Sequence, residues 1–165
     1  MVALSAMTVA EFEPYIHMLL ESYAADHVAA GNWDKGKALS KATEQTNKLM
    51  PEGVATSGHS LFIVTSGHSL FIVESNTNSE RVGVLWVAEQ NRGGKKSLWI
   101  YDVEIDEPFR QQGYGSAAFV ALEKFAKERG VEEISLHVFG SNAAARAMYT
   151  KLGFGEVDVV MSKSL

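Results

Sequence analysis

The order of elements along these 165 residues predicts an α+β domain built on a mixed, mostly antiparallel sheet. Three observations carry that prediction. Apolar residues at helical spacing occupy the first third, short apolar runs between polar turns follow, and the last third alternates strand-like with helix-like periodicity. A chain of this length with 46% hydrophobic and 21% charged residues buries about two thirds of the surface it exposes when unfolded, so residues 1–165 are expected to form one domain.

Val2 to Met7 is short and apolar, as a first strand would be. The segment after it, to about Ala30, places Tyr15, Ile16, Leu19, Leu20 and Tyr23 at helical spacing. Two starts compete for that helix. Thr8 and Glu11 have the form of a capping box, which leaves Pro14 inside; alternatively the helix begins near Glu13 with Pro14 in its first position. Gly31 breaks it, and Asn32 to Met50 reads as a second helix stopped at Pro51, Glu52 and Gly53.

Nine residues then occur twice in tandem, Thr56–Val64 and Thr65–Val73 both spelling TSGHSLFIV, a duplication spanning 56–73. Each copy holds a strand, Ser60–Val64 and Ser69–Val73, and the pair can form a hairpin turning at Thr65, Ser66, Gly67 and His68. Two such copies cannot stack a solenoid core. One copy is therefore expected in the sheet and the other as an insert, absorbed by a bulge, a loop or an additional hairpin.

Arg81 to Glu89 is the next strand, and the polar turns around it, Ser75–Glu80 and Asn91–Lys96, suggest an antiparallel meander. Ser97 to Ile105 is a rich strand closed by Asp106, Glu107 and Pro108. A glycine-bearing loop, Arg110 to Gly115, then feeds a long amphipathic helix ending at Gly130. Glu133–Val138 reads as a strand, Asn142–Leu152 as a short helix stopped by Gly153, and Phe154–Met161 as a final strand. The total is about seven strands and four helices.

Composition excludes several classes of function. A net charge of −5 argues against a broad footprint for nucleic acid or an anionic membrane, and suits solubility or an amine-bearing partner. The absence of cysteine removes disulfides, thiolate metal sites and a cysteine nucleophile. His17, His27, His59, His68 and His137 have no metal-ligand spacing, so no metal is assigned. Gly58-His59-Ser60 and Gly67-His68-Ser69 lack the closing glycine of a nucleophile elbow. No signal peptide and no membrane span is recognisable, which leads to a cytoplasmic expectation.

The loop from Arg110 to Gly115 carries the chemistry. Two glycines where a strand turns into a helix let backbone approach a ligand, and the amides of Gln112, Gly113, Tyr114, Gly115 and Ser116 add to the positive helix end as an anion cradle. A tight strand-to-helix turn without a ligand uses the same residues. A dinucleotide fingerprint spelled by Gly113, Gly115 and Ala118 lacks its acid, because the next strand ends Val138-Phe139-Gly140. A phosphate loop at Gly94-Lys95-Lys96-Ser97 lacks the upstream spacing and precedes a strand.

Arg110-Gln111-Gln112-Gly113-Tyr114-Gly115 resembles the R/Q-x-x-G-x-G/A signature of the GNAT superfamily of N-acetyltransferases. Asn142-x-x-Ala145-x-x-Met148-Tyr149-x-Lys151-Leu152-Gly153-Phe154 resembles that family's second signature, at the expected separation. The resemblance implies a V-shaped splay between the fourth and fifth strands, where the pantetheine arm of acetyl-CoA, a co-substrate, would lie along Val103 and Ile105. It also implies that Arg110, Gln111 and the cradle hold the pyrophosphate, that the Val103 amide meets the thioester oxygen and that Asn142 bonds the arm. Tyr149 matches the family's general acid, and a phenol with a pKa near ~10 is suited to protonate a departing thiolate; packing is its alternative role.

The base is less defined. Trp99 and Tyr101 stand at the commonest base positions, whereas Glu104 and Asp102, expected on the opposite face of the same strand, can accept a proton directly or through water. Glu104 is taken as the candidate. The acceptor implied is a primary amine of a small molecule, a peptide N-terminus or a lysine, attacked in a ternary complex. A homodimer is compatible with the sequence. A module that binds coenzyme A without catalysing transfer, acting as a sensor, is the alternative function.

Overall fold

The computed structural model describes residues 2–66, 80–161 and 163. Its sheet has five strands in sequence order: β1 (Val2–Ala6), β2 (His59–Ser66), β3 (Glu80–Arg92), β4 (Lys95–Ile105) and β5 (Glu133–Leu136). The first four are antiparallel neighbours, and β4 pairs β5 in parallel across the crossover helix α3 (Tyr114–Glu128). Helices α1 (Val9–Ala29) and α2 (Ala38–Leu49) precede β2, and α4 (Ala143–Lys151) follows β5.

Alternation along the strands divides the core between two faces. Phe62, Val64, Leu85, Val87, Leu98 and Ile100 face α3, packing against Ala118, Phe119, Leu122 and Ala126. Leu61, Ile63, Val84 and Trp86 face α1, where they meet Met7, Tyr15 and Met50. Helices α1 and α2 join through the small residues Ala24, Ala38 and Ala42.

The capping box decides the start of α1. Thr8 accepts from the Glu11 amide and the Glu11 carboxylate accepts from the Thr8 amide at 2.8 Å, so Pro14 is carried inside the helix. The second helix begins later than expected. Asn32–Lys37 form turns instead, because the Asp34 carboxylate takes the Gly36 amide at 2.9 Å and offers the backbone an alternative to the helix.

Three strand expectations need correction or fall elsewhere. The first copy of the repeat forms β2, which runs through Thr65 and Ser66; these residues pair with Arg81 and Glu80 on one side and with Ala3 and Val2 on the other. A turn at Thr65 and Ser66 with the copies hydrogen-bonded to each other is thus excluded, both edges of that stretch being taken. The second expected strand, Ser69–Val73, lies outside the described residues. Phe154–Met161 forms no strand, and Val157, Val160 and Met161 are exposed. Alternating valines supply propensity, but a strand needs a ladder partner. Five strands, not seven, are therefore found among the described residues, and the last ends at Leu136 rather than Val138.

Candidate active site

The pairing of β4 with β5 runs from Ser97↔Glu133 to Ile100↔Leu136, while β4 itself continues to Ile105. Tyr101 to Ile105 thus extend beyond the last β5 pair, and the chain leaving this stretch enters the glycine loop. Gly83 permits the geometry at its end. A Cβ there would lie 2.2 Å from the Glu104 carbonyl oxygen and 3.1 Å from the Ile105 Cα, so β3 and β4 close up only over a glycine.

The loop after Ile105 makes one short 3₁₀ turn, Glu107–Phe109, then passes through left-handed conformations at Gln111 (φ 60°) and Gly113 (φ 84°) before α3 begins. Gly113 accepts the first helical bond, from Ala117. Among the described residues no acceptor meets the amides of Gln111 to Ser116. The open row of donors at the positive end of a helix is the geometry that binds an anion. Gly115 lets α4 approach, since a Cβ on it would lie 3.2 Å from Met148 Sδ.

Three residues expected at the cofactor have side chains engaged within the protein, Gln112 among them, its Nε2 donating to the Pro108 carbonyl at 2.8 Å. The Arg110 guanidinium turns back, donating to the Ile105 carbonyl at 2.8 Å and to the Glu104 carboxylate at 3.0 Å. Asn142 caps α4, its Oδ1 accepting from the Ala145 amide at 3.1 Å, which leaves its side-chain N–H group without a described partner. Val103 packs towards the α3 core and Ile105 lies beside Gly115.

A bulge in β4 rearranges the expected faces. Trp86 pairs with Asp102 and Val87 with Ile100, leaving Tyr101 as the extra residue. Tyr101 stacks on Trp86, with ring centroids 4.6 Å apart, and Asp102 follows on that same side, held by Tyr15 of α1. Glu104, opposite Val84, lies there as well. The expectation that Asp102 and Glu104 oppose Tyr101 is corrected accordingly: the extra residue resets the alternation.

Around Asp102 the site has its most distinctive electrostatics. The Tyr15 hydroxyl, on a residue only 2% exposed, donates to Asp102 Oδ2 at 3.0 Å. Desolvation pushes the Asp102 carboxyl up to about 6 from its ordinary 3.8; the Tyr15 bond opposes that shift, Glu104 adds to it, and the Val103 amide opposes it. Tyr149 packs edge-on against Phe119, 5.6 Å between centroids. Its phenol is raised by burial first and by the negative Asp102 second, so it stays protonated through the neutral range. Sequence reasoning missed Tyr15, which lies 87 residues from its partner, and His59, whose Nδ1 accepts from the Trp86 indole at 3.0 Å. An apolar helical stripe conceals the first and the repeat the second. Among the described residues no group of three or more His, Cys, Asp or Glu side chains could hold a metal, and no helix is long and apolar enough to cross a membrane.

Comparison with known proteins gives the family and the fold. Residues 39–154 match the family model described as Acetyltransferase (GNAT) family. The chain is 35% identical over 164 residues to the uncharacterized N-acetyltransferase YycN of Bacillus subtilis (strain 168), covering 99% of each chain. The crystal structure of YycN superposes with a TM-score of 0.88 at 33% identity, covering 100% of this chain and 99% of the other. A shorter match, 37% over 60 residues, covers 36% of this chain and 40% of the [ribosomal protein bS18]-alanine N-acetyltransferase of Escherichia coli (strain K12).

Proposed function

The chain belongs to the acetyltransferase (GNAT) family, and from that premise we propose that it transfers the acetyl group of acetyl-CoA to a primary amine by direct attack in a ternary complex. The carrying observation is the unpaired row of amides from Gln111 to Ser116, set where β4 runs on beyond its last β5 pair. Those amides suit a pyrophosphate, and the free edge of Tyr101–Ile105 suits a pantetheine arm laid alongside like an added strand in the V-shaped gap. Asn142 offers the arm its side-chain N–H group. Arg110 braces the strand exit through Glu104 and Ile105.

Acetyl-CoA supplies the acyl group as a thioester. The acceptor nitrogen forms a bond to the carbonyl carbon as the carbon–sulfur bond breaks; the nitrogen loses a proton and the thiolate gains one. Asp102 is the better acceptor of that first proton. Glu104 is tied to Arg110, whereas Asp102, raised to about 6, is ionised at neutral pH yet more basic than an ordinary carboxylate. Tyr149, held protonated, supplies the second proton. Acid and base then approach the reacting atoms from the two sides of the sheet.

Calorimetric titration with acetyl-CoA, followed by thiol release on a panel of amines, tests the reading. Tyr149→Phe is expected to slow turnover about 10²-fold with acetyl-CoA affinity nearly unchanged, because no described residue hydrogen-bonds its hydroxyl. Binding without release on any amine favours the sensor, and full activity in the variant reduces Tyr149 to a packing residue.

A further inference from the structure

A buried indole N–H needs an acceptor. Trp86 is 3% exposed, and its Nε1–H finds one in His59 Nδ1 at 3.0 Å. That bond decides the tautomer. With its Nδ1 lone pair engaged, the neutral imidazole carries its proton on Nε2, and burial keeps the ring neutral by lowering its pKa. Tyr101 stacks on the same ring, 5.7 Å between centroids and 26° between planes. Among the described residues Nε2 has no acceptor, so a half-buried ring fixed from two sides holds a donor in reserve.

The His59 ring lies on the same face of the sheet as Asp102, against Trp86 and Tyr101. Trp86 pairs with Asp102 on β4 and with Leu61 on β2, and His59 stands two residues along β2 from Leu61, about 12 Å from Asp102 between Cα atoms by strand spacing and rise. Two hydrogen bonds of about 2.9 Å each, plus the few ångströms between an amine nitrogen and a carbonyl oxygen on the adjacent carbon, cover about 9 Å, and the reach of the two side chains covers the remainder. The face already holds the Asp102 and Glu104 carboxylates, which disfavour a further anion. A neutral oxygen suits it better.

We propose that His59 orients the acceptor, its Nε2–H donating to a neutral carbonyl oxygen near the reacting amine, so that α-amino amides and peptide α-amines are the preferred substrate class. The inference rests on the transferase reading above. His59 is a positioning residue here and moves no proton.

Rates of acetyl-CoA-dependent thiol release on a dipeptide amide, a free amino acid and an alkyl amine, compared per neutral amine, test it. Wild type is expected to favour the amide. His59→Ala should lower the amide-to-alkyl-amine ratio of kcat/KM by about tenfold or more, through KM, and His59→Gln, which keeps a donor, should restore part of it. Nitrogen-15 spectra should show the His59 ring as the Nε2–H tautomer at neutral pH. Equal losses on all three acceptors, no wild-type preference for the amide, or an Nδ1–H tautomer would overturn the inference and leave the transferase reading standing. Absence of release from every amine by an enzyme that binds acetyl-CoA would overturn both.

Discussion

Asp102 illustrates how a single side chain links function to stability. Its carboxyl, raised to about 6 from 3.8, binds its proton more tightly in the folded state than in the unfolded one. Folding is therefore unpenalised at low pH and loses stability as pH rises from 3.8 through about 6, where the buried carboxylate must ionise. Asp102→Asn keeps an oxygen for the Tyr15 hydroxyl and removes the charge. It is expected to be more stable than wild type by on the order of 2 kcal/mol at about pH 7.5, with the gain vanishing near pH 4, as thermal unfolding across pH would show. The same variant should lose the limb of the kcat/KM profile near pH 6 along with most of its activity. Little of this was legible beforehand. The Gly113 and Gly115 loop and Tyr149 stand out in sequence because their neighbours in the chain are their context. The environment of Asp102 comes from Tyr15, distant in the chain and brought close only by the packing of α1 on the sheet.

At the scale of elements, Gly83 governs how closely β3 and β4 approach where the anion loop departs. The contact that an added Cβ would make, 2.2 Å to the Glu104 carbonyl, is with backbone and has no rotamer to relieve it. Gly83→Ala is expected to cost about 3 kcal/mol in denaturant unfolding, and its acetyl-CoA affinity should fall because Ile105 and the loop shift together. Elements whose signals are local were readable: the capping box of α1, the meander from β2 to β4, and the strand, loop and helix through α3. The seventh strand was not. Val157, Val159 and Met161 alternate as strand residues do, but only a ladder partner turns alternation into a strand, and pairing is not written in the segment itself. The bulge at Tyr101 escaped for a similar reason, since an extra residue is visible only against the strand opposite it.

For the molecule as a whole, the repeat enters the sheet through its first copy. That copy has partners on both sides, and the β2–β3 register shifts by one residue at Val64/Thr65, where the two copies join, with Val82 of β3 as the extra residue. Excising Thr65–Val73 replaces Thr65-Ser66 by Glu74-Ser75 and leaves Asn76–Ser79 to connect β2 with β3, a common hairpin length. The excised protein should fold with an unchanged near-ultraviolet spectrum and a stability gain of about 1 kcal/mol from closing a shorter connection between β2 and β3; a molten product would show that the second copy contributes to the core. The sheet also acts as a partition. Helix α3 and Tyr149 lie on one side, α1 and Asp102 on the other, and a cofactor and an acceptor approaching from opposite sides do not compete for space. Which carboxylate serves which side is a question of parity. Without the one extra residue at Tyr101, every position from Asp102 to Ile105 would exchange sides, sending the proposed base to the α3 side and Val103 and Ile105, proposed to line the cofactor, to the α1 side. On the proposed reading, the chemistry of the site depends on whether the count of residues along one strand is odd or even.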